Sequence, residues 1–188
     1  MRVDQLCAAY HLQARYVHFP LHPDTPDEGL TLEQLFAGRD VDLAAMRERM
    51  AGLMREAGLE YGDRPRTYNS RLAQELACWA VHQKDDTQKA GEAIHLALFR
   101  AYFVDDVNLA VVDHLVEIAA GVGLDGAAAR RALETRQYRS AVDADWERSR
   151  QLGVTGVPTY VAGGRGAVGA QPYKVLERLA LGAGAVRR

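Results

Sequence analysis

The sequence is poor in cysteine, and its two cysteines, Cys7 and Cys78, lie far apart in the chain. A disulfide-stapled scaffold needs more of them, so this usage is typical of a reduced compartment and predicts a cytoplasmic protein. The chain also lacks apolar runs of about 18 residues, the minimum for a membrane-spanning helix. Its first residues include Arg2, Asp4 and Gln5 instead of the continuous apolar segment of a secretory signal. We therefore expect no membrane partner.

The chain also lacks an excess of charge of either sign. The chain has 23 Lys and Arg residues against 25 Asp and Glu residues, which gives a formal net charge of −2. A protein with this balance has no global field that attracts nucleic acid, so we predict no nucleic-acid partner. The six histidines match no metal-ligand spacing, so we predict no metal site, and no motif indicates a cofactor.

Apolar periodicity predicts one early strand and a series of helices. The strand is Arg15–Phe19, which alternates between two faces. The first helix has an apolar stripe formed by Val3, Leu6, Cys7 and Tyr10. Thr31 and Gln34 have the form of a capping box that opens a short helix. The later helices are predicted to run from Leu43 to a stop at Gly58, from Asn69–Ser70 to Ala80, over 87–104, from an Asn108 cap, from an Asp125 cap to Leu133, and over 138–152.

One of these helices bears three of the four methionines of the chain. Its apolar stripe consists of Leu43, Met46, Met50, Leu53 and Met54. Methionine-rich faces bind varied apolar partners, but most such stripes belong to a protein core. We predict the core interpretation for this helix.

The C-terminal part of the sequence predicts a ββα unit, which is two strands followed by a helix. Proline donates no N–H, so Pro158 after a glycine-bounded loop is typical of the first residue of a strand. A turn at Gly163 and Gly164 leads to a second strand, Gly166–Ala170. Pro172 is then placed in the first turn of a helix. Together with the early strand and about six helices, this unit predicts an α/β fold with a helical insertion.

Five stretches are distinctive when taken together: Val157–Pro158, Phe19–Pro26, Tyr68–Ala73, Leu98–Phe103 and Gly169–Pro172. They resemble the DsbA family of thiol–disulfide oxidoreductases, and within it the FrnE-like branch. The resemblance implies a thioredoxin-like (DsbA-type) α/β sheet with a large all-helical insertion. It also implies that 1–30 and 139–188 form the split thioredoxin-like part and 31–138 the insertion. The implied function is disulfide exchange with protein or small-thiol disulfide substrates.

The Cys-x-x-Cys motif of that family is absent from this sequence. In the family the motif lies at a helix N-terminus, where the helix dipole and free amides stabilise the thiolate. We therefore expect an N-terminally truncated form, without a catalytic residue and inactive, in which Cys7 and Cys78 are structural. A start codon placed too late or a shortened homologue that lost its redox function would each produce it.

The strand expected to be missing is the central one of the thioredoxin-like sheet. Its loss would leave the backbone groups of two neighbouring strands unpaired, which is costly when they are buried. Three outcomes stay open: the two strands pair directly, a second copy donates a strand in a homodimer, or the chain is poorly stable.

The resemblance implies a substrate-binding loop formed by Thr155, Gly156, Val157 and Pro158. In the family the Val–Pro bond is cis, and an extended substrate pairs with the backbone N–H and C=O beside it. Two alternative functions stay open. One is a glutathione-dependent enzyme like 2-hydroxychromene-2-carboxylate isomerase, and the other is a non-catalytic peptide-binding relative.

Overall fold

A computed structural model describes residues 2–83 and 87–188 of the 188-residue chain. The helices within these ranges are α1 Arg2–Ala9, α2 Leu32–Leu35, α3 Leu43–Glu56, α4 Arg71–Ala80, α5 Thr87–Phe103, α6 Val112–Gly121, α7 Gly126–Glu134, α8 Arg139–Gln151 and α9 Tyr173–Gly182. The strands are β1 Tyr10–His11, β2 Leu30–Thr31, β3 Arg66–Thr67, β4 Thr159–Ala162, β5 Arg165–Val168 and β6 Val186–Arg187. The predicted class, an α/β fold with a helical insertion, is confirmed.

The strands form small antiparallel sheets of two strands each, which pair β1 with β6, β2 with β3 and β4 with β5. The chain divides into two compact units. One comprises the residues through Leu21 together with Ala144–Arg188, and the other is His22–Asp143. The boundaries inferred from the resemblance, after 30 and before 139, concern the extent of a family domain and stay a prediction.

The unit His22–Asp143 has its core around α4. This helix packs against α5, α6 and α7, and its inward face is fully buried at Leu76 and Ala80. Burying a leucine side chain stabilises the fold by about 1.5–3 kcal/mol, so this face is the main anchor of the helical part. The buried apolar residues shared by these helices include Leu76, Trp79, Ile94, Leu98, Leu115, Leu124, Ala129 and Leu133.

The start of α4 is held by Asn69, as the sequence predicted. Its Oδ1 accepts a hydrogen bond from the Arg71 N–H at 2.9 Å. Its Nδ2 donates to the carbonyl of Thr25 at 2.8 Å. The asparagine therefore joins the proline-rich segment 20–26 to the beginning of the main core helix.

The N-cap of α7 is Asp125, as predicted. One of its carboxylate oxygens accepts from the N–H groups of Ala127 and Ala128, at 2.8 and 3.1 Å. We expect Asp125→Ala to lower the free energy of unfolding by about 1 kcal/mol, because two helix N–H groups lose their acceptor. Urea denaturation measures the loss. Asp125→Asn keeps the acceptor and is expected to retain most of the stability, so an equal loss in both variants would contradict this capping role.

The Asn108 cap predicted for α6 is wrong. The N-cap position is Val111, which makes no side-chain cap hydrogen bond. The Asn108 Oδ1 accepts instead from the N–H of Ala110 at 2.8 Å, and its Nδ2 donates to the carbonyl of Asp27 at 2.8 Å. The side chain is engaged by a turn and by a distant loop, so the helix begins later.

The methionine-bearing helix α3 differs from its prediction in burial. Its N-cap is Asp42, and Gly58 follows its end with a positive φ of 67°, as expected for a helix stop. Yet no residue of α3 is buried, and Met50 and Leu53 are 40% and 39% exposed. The stripe is therefore a half-exposed apolar face and not a core face.

In the other unit, α1 and α9 pack together over a small core of Leu6, Tyr10 and Leu176. The last residue, Arg188, makes hydrogen bonds next to this core. Its N–H donates to the carbonyl of Ala9 at 2.9 Å, and its Nε donates to the carbonyls of Cys7 and Tyr10, both at 3.2 Å. The guanidinium thus adds a donor to carbonyls at the end of α1 and just after it.

The strand predicted at Arg15–Phe19 is wrong, because residues 12–20 have no regular secondary structure. The backbone there is held by side chains of α8. The His18 N–H donates to Asp145 Oδ2 at 3.1 Å, and Ser149 Oγ donates to the His18 carbonyl at 3.1 Å. These bonds take the place of a strand ladder. The predicted option that this segment pairs directly with the strand after Pro158 is therefore not seen.

Candidate functional site

The candidate site begins where α8 ends, at Gly153. This glycine has a positive φ of 67°, which lets the chain leave the helix without a Cβ clash. Its N–H and that of Val154 donate to the carbonyls of Arg150 and Ser149, both at 3.0 Å. A glycine-ended helix therefore sets the direction of the loop that follows.

The four residues predicted to bind substrate form that loop and lie next to one another ahead of β4. The Val157–Pro158 peptide bond is cis. Thr159 Oγ1 donates to the Gly156 carbonyl at 2.6 Å and so fixes the loop at the start of the strand. The Val157 side chain is 51% exposed, and Thr155 and Pro158 are exposed as well.

The β4–β5 hairpin has a register that decides which backbone groups face outward. Gly163 and Gly164 form its turn with φ values of 55° and 73°. The Gly169 N–H donates to the Pro158 carbonyl at 2.7 Å, so Pro158 faces β5. In an antiparallel ladder successive residues alternate, so the backbone groups of Thr159 and Val161 face the other side. Val157 precedes the ladder, on the loop that leads into the same strand.

That other side of β4 is a free strand edge, which we call the β4 edge and define by Val157, Thr159 and Val161. No strand within 2–83 and 87–188 pairs with it. Neither the N–H nor the C=O of Val157 has a hydrogen-bond partner in those ranges. Unpaired strand edges are templates for an added strand, so the β4 edge offers main-chain pairing to an extended peptide.

Exposed valines flank the β4 edge. Thr159 lies opposite Val168 in the hairpin, and Tyr160 lies opposite Ala167. Tyr160 packs against the core of Leu6, Tyr10 and Leu176, so Val161 and Val168 lie on the outer face. They are 45% and 59% exposed. The site therefore combines main-chain donors and acceptors with a small accessible apolar surface.

The loop after β5 is tied to α1. Arg2 Nη1 donates to the carbonyls of Ala170 and Gln171, at 3.4 and 3.2 Å. The Gln171 Nε2 donates back to the carbonyl of Val168 at 2.6 Å. Both contacts hold the open end of the hairpin, so the β4 edge is presented by a fixed element.

Asp145 on α8 is a nearly buried charged group of this unit, with 8% of its surface exposed. Besides the His18 N–H, its Oδ2 is hydrogen-bonded to His18 Nδ1 at 2.8 Å. Burial would raise the pKa of the Asp145 carboxyl, but the hydrogen bonds from His18 outweigh it, and the pKa lies below its usual value. Asp145 is therefore ionised at neutral pH, and its role in the described contacts is to hold residues 15–18 against α8.

The two cysteines lie on helices and not in a redox motif. Cys7 is on α1 and Cys78 on α4; both are half-buried, and neither forms a disulfide. The residues brought together at the site are thus backbone groups and valines. The substrate-binding residues predicted from the sequence, Thr155–Pro158, lie directly ahead of the β4 edge, and their role stays a prediction. Thr159 and Val161 were not among them, although strand alternation from Pro158 would have assigned them to the same edge. Within the described ranges, no helix has the length and apolarity needed to cross a membrane.

The chain is similar to known proteins in sequence and in fold. The family model of the DSBA-like thioredoxin domain matches residues 1–180. An uncharacterized protein of Bacillus subtilis (strain 168), YwbO, is 36% identical over 108 residues, which are 55% of this chain and 52% of that protein. The chain thus spans about half the length of this curated relative.

Several solved structures resemble the chain. A probable DsbA oxidoreductase from Streptomyces coelicolor has a TM-score of 0.83 and 26% identity, over 97% of this chain and 82% of that one. The cytosolic disulfide reductase DsbM from Pseudomonas aeruginosa has a TM-score of 0.53 and 22% identity, over 74% of this chain and 75% of that one. The second likeness concerns the fold alone.

Proposed function

Because the chain belongs to the DsbA-like thioredoxin domain family, we propose that it functions in thiol–disulfide exchange and docks its substrate along the β4 edge. The substrate is a protein or small-thiol disulfide, and the protein is a FrnE-like member of the family in the cytoplasm. The observation that supports docking most directly is the outward row of backbone groups at Val157, Thr159 and Val161. An extended segment that pairs there lies beside Pro158 and the loop residues Thr155 and Gly156.

The role of this chain in that process is binding and orientation. An added strand satisfies the N–H and C=O of Val157 and gains main-chain hydrogen bonds, each with a net value of about 0.5–1.5 kcal/mol. The exposed valines provide apolar contact without demanding a particular sequence. Such a site selects extended, locally unfolded segments, which is what an exchange protein meets around a reducible disulfide.

The docking proposal is tested by titrating the 15N-labelled chain with the S-carbamidomethylated insulin B chain, an extended peptide that cannot react. We expect saturating amide shifts at Val157, Thr159 and Val161. Val157→Pro removes the outward N–H and should weaken binding about fivefold, the value of one hydrogen bond.

Val168→Pro is the matched control. Val168 is likewise a half-exposed valine with an outward N–H, but it lies on the β5 edge of the same hairpin. This variant should bind as the parent chain does. Equal weakening in both variants, or shifts that avoid β4, would contradict docking at the β4 edge.

The proposal includes a homodimer in which two copies pair along this edge. In a homodimer the same amide resonances shift when the protein concentration changes. Chemical shifts that do not depend on protein concentration would exclude it.

We expect the chain of this sequence to show no dithiol turnover by itself. Thiol–disulfide exchange in the family, as the resemblance implies, needs two cysteines at Cys-x-x-Cys spacing, and Cys7 and Cys78 are on separate helices. Insulin reduction by dithiothreitol should proceed at the same rate with and without the protein. The variant with both Cys7→Ala and Cys78→Ala should be indistinguishable from the parent. Acceleration by either protein would contradict this assignment.

A further inference from the structure

A cleft of about 300 Å³ lies between α3 and the segment 61–64, within the unit His22–Asp143. It is lined by Arg47, Glu48 and Ala51 of α3 and by Tyr61–Arg64. The Gly62 N–H donates to the carbonyl of Phe103 at 2.9 Å, which ties the segment to the end of α5. The cleft is far from the β4 edge in sequence, and the proposed disulfide exchange assigns it no role.

Arg64 is a fixed cation in this cleft. Its Nη1 donates to the Arg66 carbonyl at 2.6 Å and to the Tyr102 hydroxyl at 2.7 Å. The guanidinium carbon lies 4.3 Å from the centre of the Tyr102 ring, a cation–π distance. The Nε–H, by contrast, is buried and has no hydrogen-bond partner in the described part of the chain. The group is therefore preorganised, with a donor left unused.

Arg47 faces the same cleft from α3 and has the same feature. Its Nε is buried without a hydrogen-bond partner in residues 2–83 and 87–188. The carboxylate of Glu33 is close enough for its charge to interact with that of Arg47. Two carboxylates, Glu48 and Asp63, also line the cleft, but both residues are exposed, and neither is ion-paired to Arg47 or Arg64 in those ranges. The lining thus carries two arginines and two exposed acidic residues, and the nearby Asp106 carboxylate also interacts with Arg64.

Two half-buried guanidinium groups whose buried Nε–H lacks a partner are unusual, since a buried polar group is costly without one. The Nε atoms have almost no exposed surface, so a ligand in the cleft would be met by the Nη groups. Planar guanidinium forks match the geometry of a carboxylate or phosphate, to which they donate paired hydrogen bonds. The volume equals that of about ten water molecules, which is more than a bare oxyanion fills. The Tyr61 ring and the Ala51 methyl group provide apolar wall for the rest of a ligand.

We propose that this cleft binds a small organic anion, whose carboxylate or phosphate end is held by Arg47 and Arg64. The acidic rim of Glu48 and Asp63 disfavours ligands with several negative charges and favours one with a single anionic end. The site belongs to the helical unit and does not depend on the thiol chemistry proposed above.

The test is NMR observation of the arginine Nε–H resonances of the full chain. Sodium phosphate and sodium acetate are titrated separately, each against sodium chloride at equal ionic strength. We expect saturating shifts of the Arg47 and Arg64 Nε–H signals with at least one oxyanion and not with chloride. A response to phosphate alone or to acetate alone would support the site and identify the preferred anionic group.

Arg47→Gln removes one of the two guanidinium groups and should raise the Kd of the bound oxyanion about tenfold or more, the value of a hydrogen bond to a charged group. This variant is the decisive one, because Arg47 makes no hydrogen bond or ion pair within the described ranges, whereas Arg64 also positions Tyr102. Arg49→Gln, an exposed arginine of α3 outside the cleft, is the matched control and should leave the Kd unchanged. Identical shifts with chloride, no saturation, or an unchanged Kd in Arg47→Gln would overturn the proposal.

Discussion

Replacing Glu75 by glutamine is expected to lower the free energy of unfolding by about 1.5–3 kcal/mol, the value of hydrogen bonds to a charged group. Glu75 is only 1% exposed within α4. Its carboxylate accepts from Arg71 Nε at 2.9 Å and from Arg136 Nε and Nη2 at 2.8 and 2.7 Å. The variant leaves two guanidinium groups facing a neutral amide at the edge of the core, where the Arg136 side chain is 42% exposed and Arg71 keeps its ion pair with Asp143.

Urea denaturation measures this loss, and Glu134→Gln is the matched control. Glu134 lies four residues from its partner Arg130, at 3.5 Å, with both side chains largely exposed. An exposed pair of this kind is worth about 0.2–0.5 kcal/mol, so the control should be close to the parent. A similar loss of stability in the two variants would mean that the buried carboxylate of Glu75 contributes no more than an exposed one.

The same carboxylate makes stability depend on pH. Burial would raise the pKa of Glu75, but the hydrogen bonds from Arg136 and Arg71 outweigh burial and hold it below its usual value of 4.5. The unfolded chain therefore takes up this proton first as the pH falls. The contribution of Glu75 is fully present above pH 4.5 and is lost as the pH falls through the lower folded pKa. Glu75→Gln should accordingly lose less stability than the parent between pH 6 and pH 3.

Substitution of Gly29 by alanine is the second change with a large expected effect, about 2–5 kcal/mol in the free energy of unfolding. Gly29 precedes β2 with a φ of +78°, which costs an alanine about 1–2 kcal/mol. An added Cβ would also lie 2.5 Å from Tyr68 Cδ1 and 2.6 Å from the Thr67 carbonyl oxygen. Overpacking against a backbone atom adds about 1–3 kcal/mol, because β3 cannot move away without breaking its pairing with β2.

Gly38→Ala separates the two causes. Gly38 has nearly the same φ, +76°, but nothing lies within 4 Å of the point that an added Cβ would occupy. It should show only the backbone strain of about 1–2 kcal/mol. Chemical denaturation of both variants gives the difference, which reports the contact with Tyr68 and Thr67. If the two losses of stability were equal, the structure would accommodate a Cβ at position 29 without a cost from the contact with Tyr68 and Thr67.

Local chemistry explains what could be predicted from sequence alone. The helices follow from apolar residues at a period of 3.6, and their ends from residues that act within one turn. The capping box of Thr31 and Gln34 and the Asp125 cap are of this kind, and both form as predicted. The loop Thr155–Pro158 and the strand after it were also predicted, because proline and glycine restrict the backbone whatever surrounds them.

Distant partners explain what could not be predicted. Alternation at Arg15–Phe19 is compatible with a strand, yet Asp145 and Ser149, more than a hundred positions away, take its backbone hydrogen bonds. Asn108 has the chemistry of a cap, but Asp27 and Ala110 compete for it. No local pattern reveals that the buried carboxylate of Glu75 meets the half-exposed Arg136.

By itself, the sequence determined the α/β class, the helical insertion, the position of a loop ahead of β4 and the absence of a Cys-x-x-Cys motif, because each depends on neighbours within a few residues or on composition. The tertiary structure alone decided that the β4 edge is free, that the stripe of α3 stays half-exposed and that Arg47 and Arg64 share a cleft. Burial and hydrogen-bond partnership are properties of segments brought together by folding, and a linear pattern does not contain them.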